Sequence, residues 1–182
     1  MTDIIIETER LILRQFKEDD AEALSAVSNH EYVLKWMPDW KGTVEETRGL
    51  IKWFQSHYAK ANKDAARVVL AVTLKESGEL IGVVGIGNKE EVDNEIEIAF
   101  FVSEEHNNKG YISEAARAMT EWAFSNLHFD YLMAIVEPDN VPSQRVLEKC
   151  GFAKFGTKTI LNSGETKEKP YYYYRVYNKV GL

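Results

Sequence analysis

Between Asn94 and Val136 the chain spells out an order of elements that fixes much of what it can fold into. Glu95-Ile96-Glu97-Ile98-Ala99-Phe100-Phe101-Val102 alternates at its start and is wholly apolar at its end, which reads as a strand. A polar loop from Ser103 to Gly110 follows. From Ile112 the apolar positions Ala115, Ala116, Met119, Trp122, Ala123 and Leu127 recur at three- and four-residue spacing, one face of a helix. Tyr131 to Val136 is then an apolar run of strand length. Two strands joined through such a helix should lie parallel, with a right-handed crossover.

That order has a chemical consequence. The loop leaves the carboxyl end of a parallel strand and runs straight into a helix amino terminus. The first amides there lack intrahelical partners, and the helix dipole makes them a site for anions such as phosphate. Gly110 allows close backbone approach, Asn108 tolerates positive φ, and Lys109 adds a full charge. An ordinary strand-to-helix connection has the same residues, so these alone leave both readings open.

Downstream, a short helix is specified at both ends. Asn140 is a good N-cap, Pro142 sits in the first turn, and Gly151 is a left-handed terminator that lets Phe152 fold back on Leu147. Lys149 lies at the negative end of its dipole. A purely structural account therefore covers Asn140.

The remaining elements are read in order. Ile4 to Arg14 is expected to be a first strand, and Lys17-Glu18-Asp19-Asp20 the start of a helix through Ala21, Leu24 and Val27. Thr43, with Glu46 in capping-box spacing, should open a helix carrying Leu50, Ile51, Phe54 and Tyr58. Arg67 to Thr73 and Leu80 to Gly87 flank the turn Glu76-Ser77-Gly78-Glu79 as a hairpin. Ala153 to Leu161 and Tyr171 to Val180 should form a final strand pair around Asn162-Ser163-Gly164. With 182 residues and neither repeat nor linker, residues 1–182 are expected to form one mixed α/β domain.

Composition narrows the function classes. The chain carries a net charge of −7, so it offers no basic stripe for nucleic acid and suits a cationic partner better. It has no secretory signal and no apolar run near the roughly 18 residues needed to span a bilayer. A single cysteine, Cys150, excludes an internal disulfide and fits a reducing cytoplasm. Cys150 reads as a small core hydrophobe rather than a nucleophile, because no His adjoins it. His30, His57, His106 and His128 lack metal-ligand spacing, so no metal is expected.

Three stretches carry a family resemblance. Asn107-Asn108-Lys109-Gly110-Tyr111-Ile112-Ser113-Glu114-Ala115 resembles the acyl-coenzyme A pyrophosphate loop of the GNAT superfamily of N-acetyltransferases. Asn140 to Phe152 resembles that family's second hallmark, and Thr8-Glu9-Arg10-Leu11-Ile12-Leu13-Arg14 is similar to the opening of its ribosomal-protein N-terminal acetyltransferase (RimJ/RimL-like) branch. The loop departs from the usual pattern at Glu105 and Asn108; Glu105 would repel phosphate if it faced inward.

The resemblance implies a mixed, mostly antiparallel sheet with a splayed parallel pair and helices on both faces. It implies acetyl-CoA as cosubstrate, gripped by Phe100, Phe101 and Val102, by Asn107, Asn108, Lys109, Gly110, Tyr111 and Ile112, and by Asn140 and Ser143. The acceptor would be a primary amine on a protein N-terminus, a polyamine or an aminoglycoside-like molecule. A monomer or homodimer fits, as does a non-catalytic acyl-CoA-binding module as the alternative.

Transfer of acetyl from a thioester to an amine needs a base, stabilisation of the developing oxyanion, and a proton for the thiolate. Ile96, Ile98 and Phe100 form one face of their strand and leave Glu95, Glu97 and Ala99 on the other. Glu97 matches a glutamate through which family members draw a proton, while Glu95 reads as solvated. Ser143 is the candidate for protonating the thiolate. Trp36, Met37, Trp40, Trp53 and Phe54 belong either to the core or to an acceptor groove.

Overall fold

The computed structural model describes residues 3–62, 66–163 and 165–179. Its strands are β1 (Ile5–Glu7), β2 (Leu11–Arg14), β3 (Arg67–Leu74), β4 (Leu80–Lys89), β5 (Glu95–Val102), β6 (Tyr131–Val136), β7 (Ala153–Ile160) and β8 (Lys169–Tyr177). Its α-helices are α1 (Ala21–Ser28), α2 (Glu31–Leu34), α3 (Val44–Tyr58), α4 (Tyr111–Leu127) and α5 (Val141–Lys149). The strands form one sheet in the order β1-β2-β3-β4-β5-β6-β8-β7. Every neighbouring pair is antiparallel except β5 and β6, which α4 joins as a parallel pair.

Strand alternation divides the core between the two faces of this sheet. On one face Ala115, Ala116, Met119 and Ala123 of α4 and Leu147 of α5 pack on Val68, Leu70, Val84 and Ile98. On the other, Leu24 of α1 and Ile51 and Phe54 of α3 pack on Ala71, Val83 and Phe101. Met119 and Ile51 are fully buried, each worth about 1.5–3 kcal/mol of transfer free energy. Helices thus cover both faces, and β5 sends Ile98 into one core layer and Phe101 into the other.

The capping signals hold. Thr43 Oγ1 accepts from the Glu46 N–H at 3.2 Å, and Glu46 Oε2 accepts from the Thr43 N–H at 2.7 Å. Asn140 Oδ1 accepts from the Ser143 N–H at 3.2 Å, and Gly151 is left-handed at φ 86°, with the Phe152 N–H returning to the Leu147 carbonyl at 3.0 Å.

Two expectations are corrected. Ile4 to Arg14 is not one strand but the β1–β2 hairpin. Thr8 turns the chain without Gly or Pro: its N–H donates to the Leu11 carbonyl and its Oγ1 accepts from the Leu11 N–H, both at 3.0 Å. The last hairpin joins β7 to β8, but β8 starts two residues early and its connection is longer than a tight turn. Gly164 and Val180 from that reading lie outside the described residues.

Candidate active site

The parallel pair barely pairs. Glu97 opposite Met133 is the register that joins β5 to β6. Meanwhile β5 stays in step with β4 from Lys89 opposite Glu95 to Gly82 opposite Val102. The Ser103 N–H donates to the Ile81 carbonyl at 2.7 Å, so by alternation the N–H groups of Phe101 and Ala99 also turn to β4. Those of Phe100 and Val102 turn the other way, into the gap between β5 and β6. Phe101 therefore offers the site its ring rather than its amide, and that ring meets Trp40 edge-on at 4.8 Å.

The gap opens into a cleft of about 1010 Å³. Its wall includes Glu97, Phe100, Phe101, Val102, Asn107, Asn108, Gly110, Ile112, Asn140 and Ser143. At one end, Asn108 (φ 59°) and Gly110 (φ 81°) are both left-handed, and Gly110 is the N-cap of α4. Positive φ at two of three residues folds the loop over the helix terminus, where the first amides of α4 point outward. Lys109 and Tyr111 are not on the cleft wall: Lys109 is exposed, and the Tyr111 ring turns away beneath Arg10. Glu105, with 74% of its side chain exposed, has Oε1 3.9 Å from His106 Nδ1.

Glu97 occupies the middle of the cleft. Burial pushes its carboxyl up to about 7; Lys89 opposes the shift, Glu91 adds to it, and the Ile135 backbone N–H and Arg67 favour the anion. A carboxyl poised near neutral pH is suited to taking a proton and giving it up. Glu95, in contrast, is not the solvated carboxylate its spacing implied. Its side chain is 10% exposed, Arg175 Nη2 lies 3.0 Å from Oε2, and the Tyr173 hydroxyl donates to that oxygen. The cause is tertiary: β8 crosses to the far side of β6 and brings Arg175 and Tyr173 over the start of β5.

The aromatic residues divide. Phe54, 3% exposed, is core, whereas Trp53, 43% exposed, stands at the mouth with Trp36 and Trp40 also on the wall. Sequence reasoning missed Arg67, Lys89 and Tyr171. Arg67 lies across the β3–β4 pair from Gly87, so its guanidinium can lie flat on the glycine and reach the Trp53 ring at 5.3 Å. Lys89 donates to Asn162 and lies 3.6 Å from Glu91. The Tyr171 hydroxyl donates to Glu165 Oε1 at 2.6 Å. Register alone carried the signal: Arg67 faces Gly87, and Tyr171 and Tyr173 alternate with Tyr172 and Tyr174.

Cys150 behaves as expected for a core thiol. Burial pushes it up to about 11, and its Sγ donates to the Ser113 carbonyl at 3.3 Å. His106, itself mostly buried, comes together with the exposed Glu79 and Glu105, and its Nδ1 lies 2.8 Å from Ser103 Oγ. No helix among the described residues is long and apolar enough to cross a membrane.

A parallel pair that parts beyond one register position, a left-handed loop over a helix terminus and a near-neutral carboxyl on the same cleft are features that acyl transfer calls for. The family model of the acetyltransferase (GNAT) domain matches residues 10–153, and the chain belongs to that family. It is an N-acetyltransferase that uses acetyl-CoA. The chain is 29% identical over 169 residues to the uncharacterized N-acetyltransferase YnaD of Bacillus subtilis, covering 92% of this chain and 94% of that one. A solved GNAT-family acetyltransferase from Bacillus anthracis superposes with a TM-score of 0.78 at 28% identity, covering 96% of this chain and 98% of its own. The ribosomal-protein-S5-alanine acetyltransferase from Vibrio fischeri shares the fold, with a TM-score of 0.80 at 20% identity and 98% coverage of both chains.

Proposed function

We propose that this enzyme moves the acetyl group of acetyl-CoA to the α-amine of a protein N-terminus by direct attack, without an acyl-enzyme. Glu97 is the general base and draws the amine's proton as the nitrogen attacks the thioester carbonyl. The Phe100 and Val102 amides face the gap where the oxyanion develops, and stabilise it without reorganising. Asn107 to Ile112 take the pyrophosphate on the α4 terminus. Asn140 and Ser143 flank the pantetheine arm, with Ser143 returning a proton to the thiolate.

The observation that carries this reading is a carboxyl near pH 7 at the point where β5 leaves β6. Direct attack is supported by Cys150, whose raised pKa and bond to Ser113 make it a poor nucleophile. The choice of a protein N-terminus draws on the aromatic cleft mouth, which suits a peptide, and on the Vibrio fischeri relative named for a ribosomal protein alanine.

The test is an acceptor panel read by thiol release from acetyl-CoA. It compares Ala- and Ser-initiated peptides with free and blocked N-termini, a polyamine and an aminoglycoside. Turnover of free but not blocked peptides is expected. Turnover confined to the polyamine or the aminoglycoside would reassign the acceptor.

A further inference from the structure

The amino-terminal motif Thr8-Glu9-Arg10 has no part in the chemistry above, yet Thr8 and Arg10 are hydrogen-bonded to the junction of the loop and α4, at Lys109 and Glu114. Arg10 lies in the β1–β2 connection, 104 residues from Glu114 in sequence. Its Nη1 donates to the Lys109 carbonyl at 3.0 Å. Its Nε donates to Glu114 Oε2 at 2.8 Å, and Nη2 lies 2.7 Å from that oxygen. The other oxygen of Glu114 accepts from the Arg10 N–H at 2.8 Å and from the Thr8 hydroxyl at 2.6 Å. The guanidinium lies 4.5 Å over the Tyr111 ring, and a Cβ added at Gly110 would sit 3.3 Å from Nη2.

One planar cation therefore touches Lys109, Gly110, Tyr111 and Glu114 at the junction of loop and helix. A lysine has neither the fork nor the flat face to do this. The loop needs such a clamp, because Asn108 and Gly110 hold left-handed conformations that a free chain would leave.

We propose that Arg10 is a positioning residue for the donor: with Thr8 and Glu114 it fixes the Lys109–Gly110 turn so that the first amides of α4 are already aimed at the pyrophosphate. Arg10 acts through the loop and contributes no group to acetyl transfer. The proposal rests on the reading of Asn107 to Ile112 as the pyrophosphate loop. Its physical content is pre-organisation, since a loop ordered in advance does not have to be ordered by the ligand.

The experiment compares binding of acetyl-CoA with binding of acetyl-pantetheine, which keeps the thioester and arm but lacks the pyrophosphate. Both are titrated against the parent, Arg10→Met and Arg10→Lys, with the unliganded melting temperature as a check of folding. The Arg10–Glu114 pair is partly exposed, at 42% and 18%, so both variants should fold. The parent should prefer acetyl-CoA. Arg10→Met should weaken acetyl-CoA about tenfold or more, the consequence of re-ordering one or two residues on binding, and leave acetyl-pantetheine unchanged. Arg10→Lys should recover a part of the loss.

Equal weakening towards both ligands would mean a general structural role and overturn the proposal, as would an unchanged acetyl-CoA affinity in Arg10→Met. A parent that binds both ligands equally would overturn the loop reading itself, and this proposal with it.

Discussion

Glu97 stands opposite Met133 at the register position where β5 and β6 touch, and beyond it the two strands part. The carboxyl is thus anchored on paired backbone while the next residues line an opening. Position and chemistry are coupled: the half-buried site that raises its pKa to about 7 also faces the space between the strands.

Glu97→Gln keeps shape but loses the proton acceptor. Turnover at neutral pH should fall by roughly 10²–10⁴, the usual worth of general-base catalysis, with acetyl-CoA affinity unchanged. In the parent, kcat/KM should rise as pH increases through about 7, as the carboxyl ionises. That limb should be absent in the variant. Parent-like rates in Glu97→Gln would remove Glu97 from the mechanism.

The same carboxyl should cost stability. Its folded pKa of about 7 exceeds the ordinary glutamate value of 4.5, so the folded state favours the protonated form. There is no penalty below the unfolded pKa. It grows as pH rises through the folded value and levels off above it, at roughly 3 kcal/mol for such a shift. Glu97→Gln should therefore raise the denaturant midpoint at pH 8 and leave it unchanged at pH 4. A pH-independent effect would show that the carboxyl is not buried as described.

Gly110→Asp tests the anion cradle. Aspartate is among the few residues that adopt left-handed backbone, so the fold should persist at some cost in strain. Acetyl-CoA at a hundred times its dissociation constant should stabilise the parent by about 2.7 kcal/mol, and the variant should lose most of this to like-charge repulsion. A full thermal shift in the variant would place the pyrophosphate elsewhere.

Glu95→Ala should destabilise the protein by about 1–3 kcal/mol, since it leaves the half-buried Arg175 without its carboxylate. The KM values should not change. Equilibrium unfolding and steady-state kinetics on one preparation check both, and an unchanged midpoint would return Glu95 to the surface. As a neutral control for Glu97, the exposed turn residue Glu76 is the better choice.

Local chemistry was legible wherever its cause was local. The strand Glu95–Val102, the helix after Gly110, the Thr43 capping box and the Asn140 cap all follow from periodicity and from donors and acceptors a few residues apart. The left-handed backbone at Asn108 and Gly110 is one that these residue types allow without dictating it. The β1–β2 turn was missed because a threonine side chain makes it, where glycine or proline would have announced it.

What the sequence by itself determined was the order strand, loop, helix, strand, and with it a parallel pair and a polar, glycine-bearing loop running into a helix terminus. Tertiary structure alone decided how far that pair stays in register, and hence which amides face the cleft. It also decided that Glu97 is half-buried beside Lys89 and Arg67 while Glu95, two residues earlier, is held by Arg175. It set Arg10 on the far end of the same loop. The physical reason is common to all of these: desolvation and charge pairing depend on groups that strand crossing brings close in space, and neither spacing nor propensity along the chain records them.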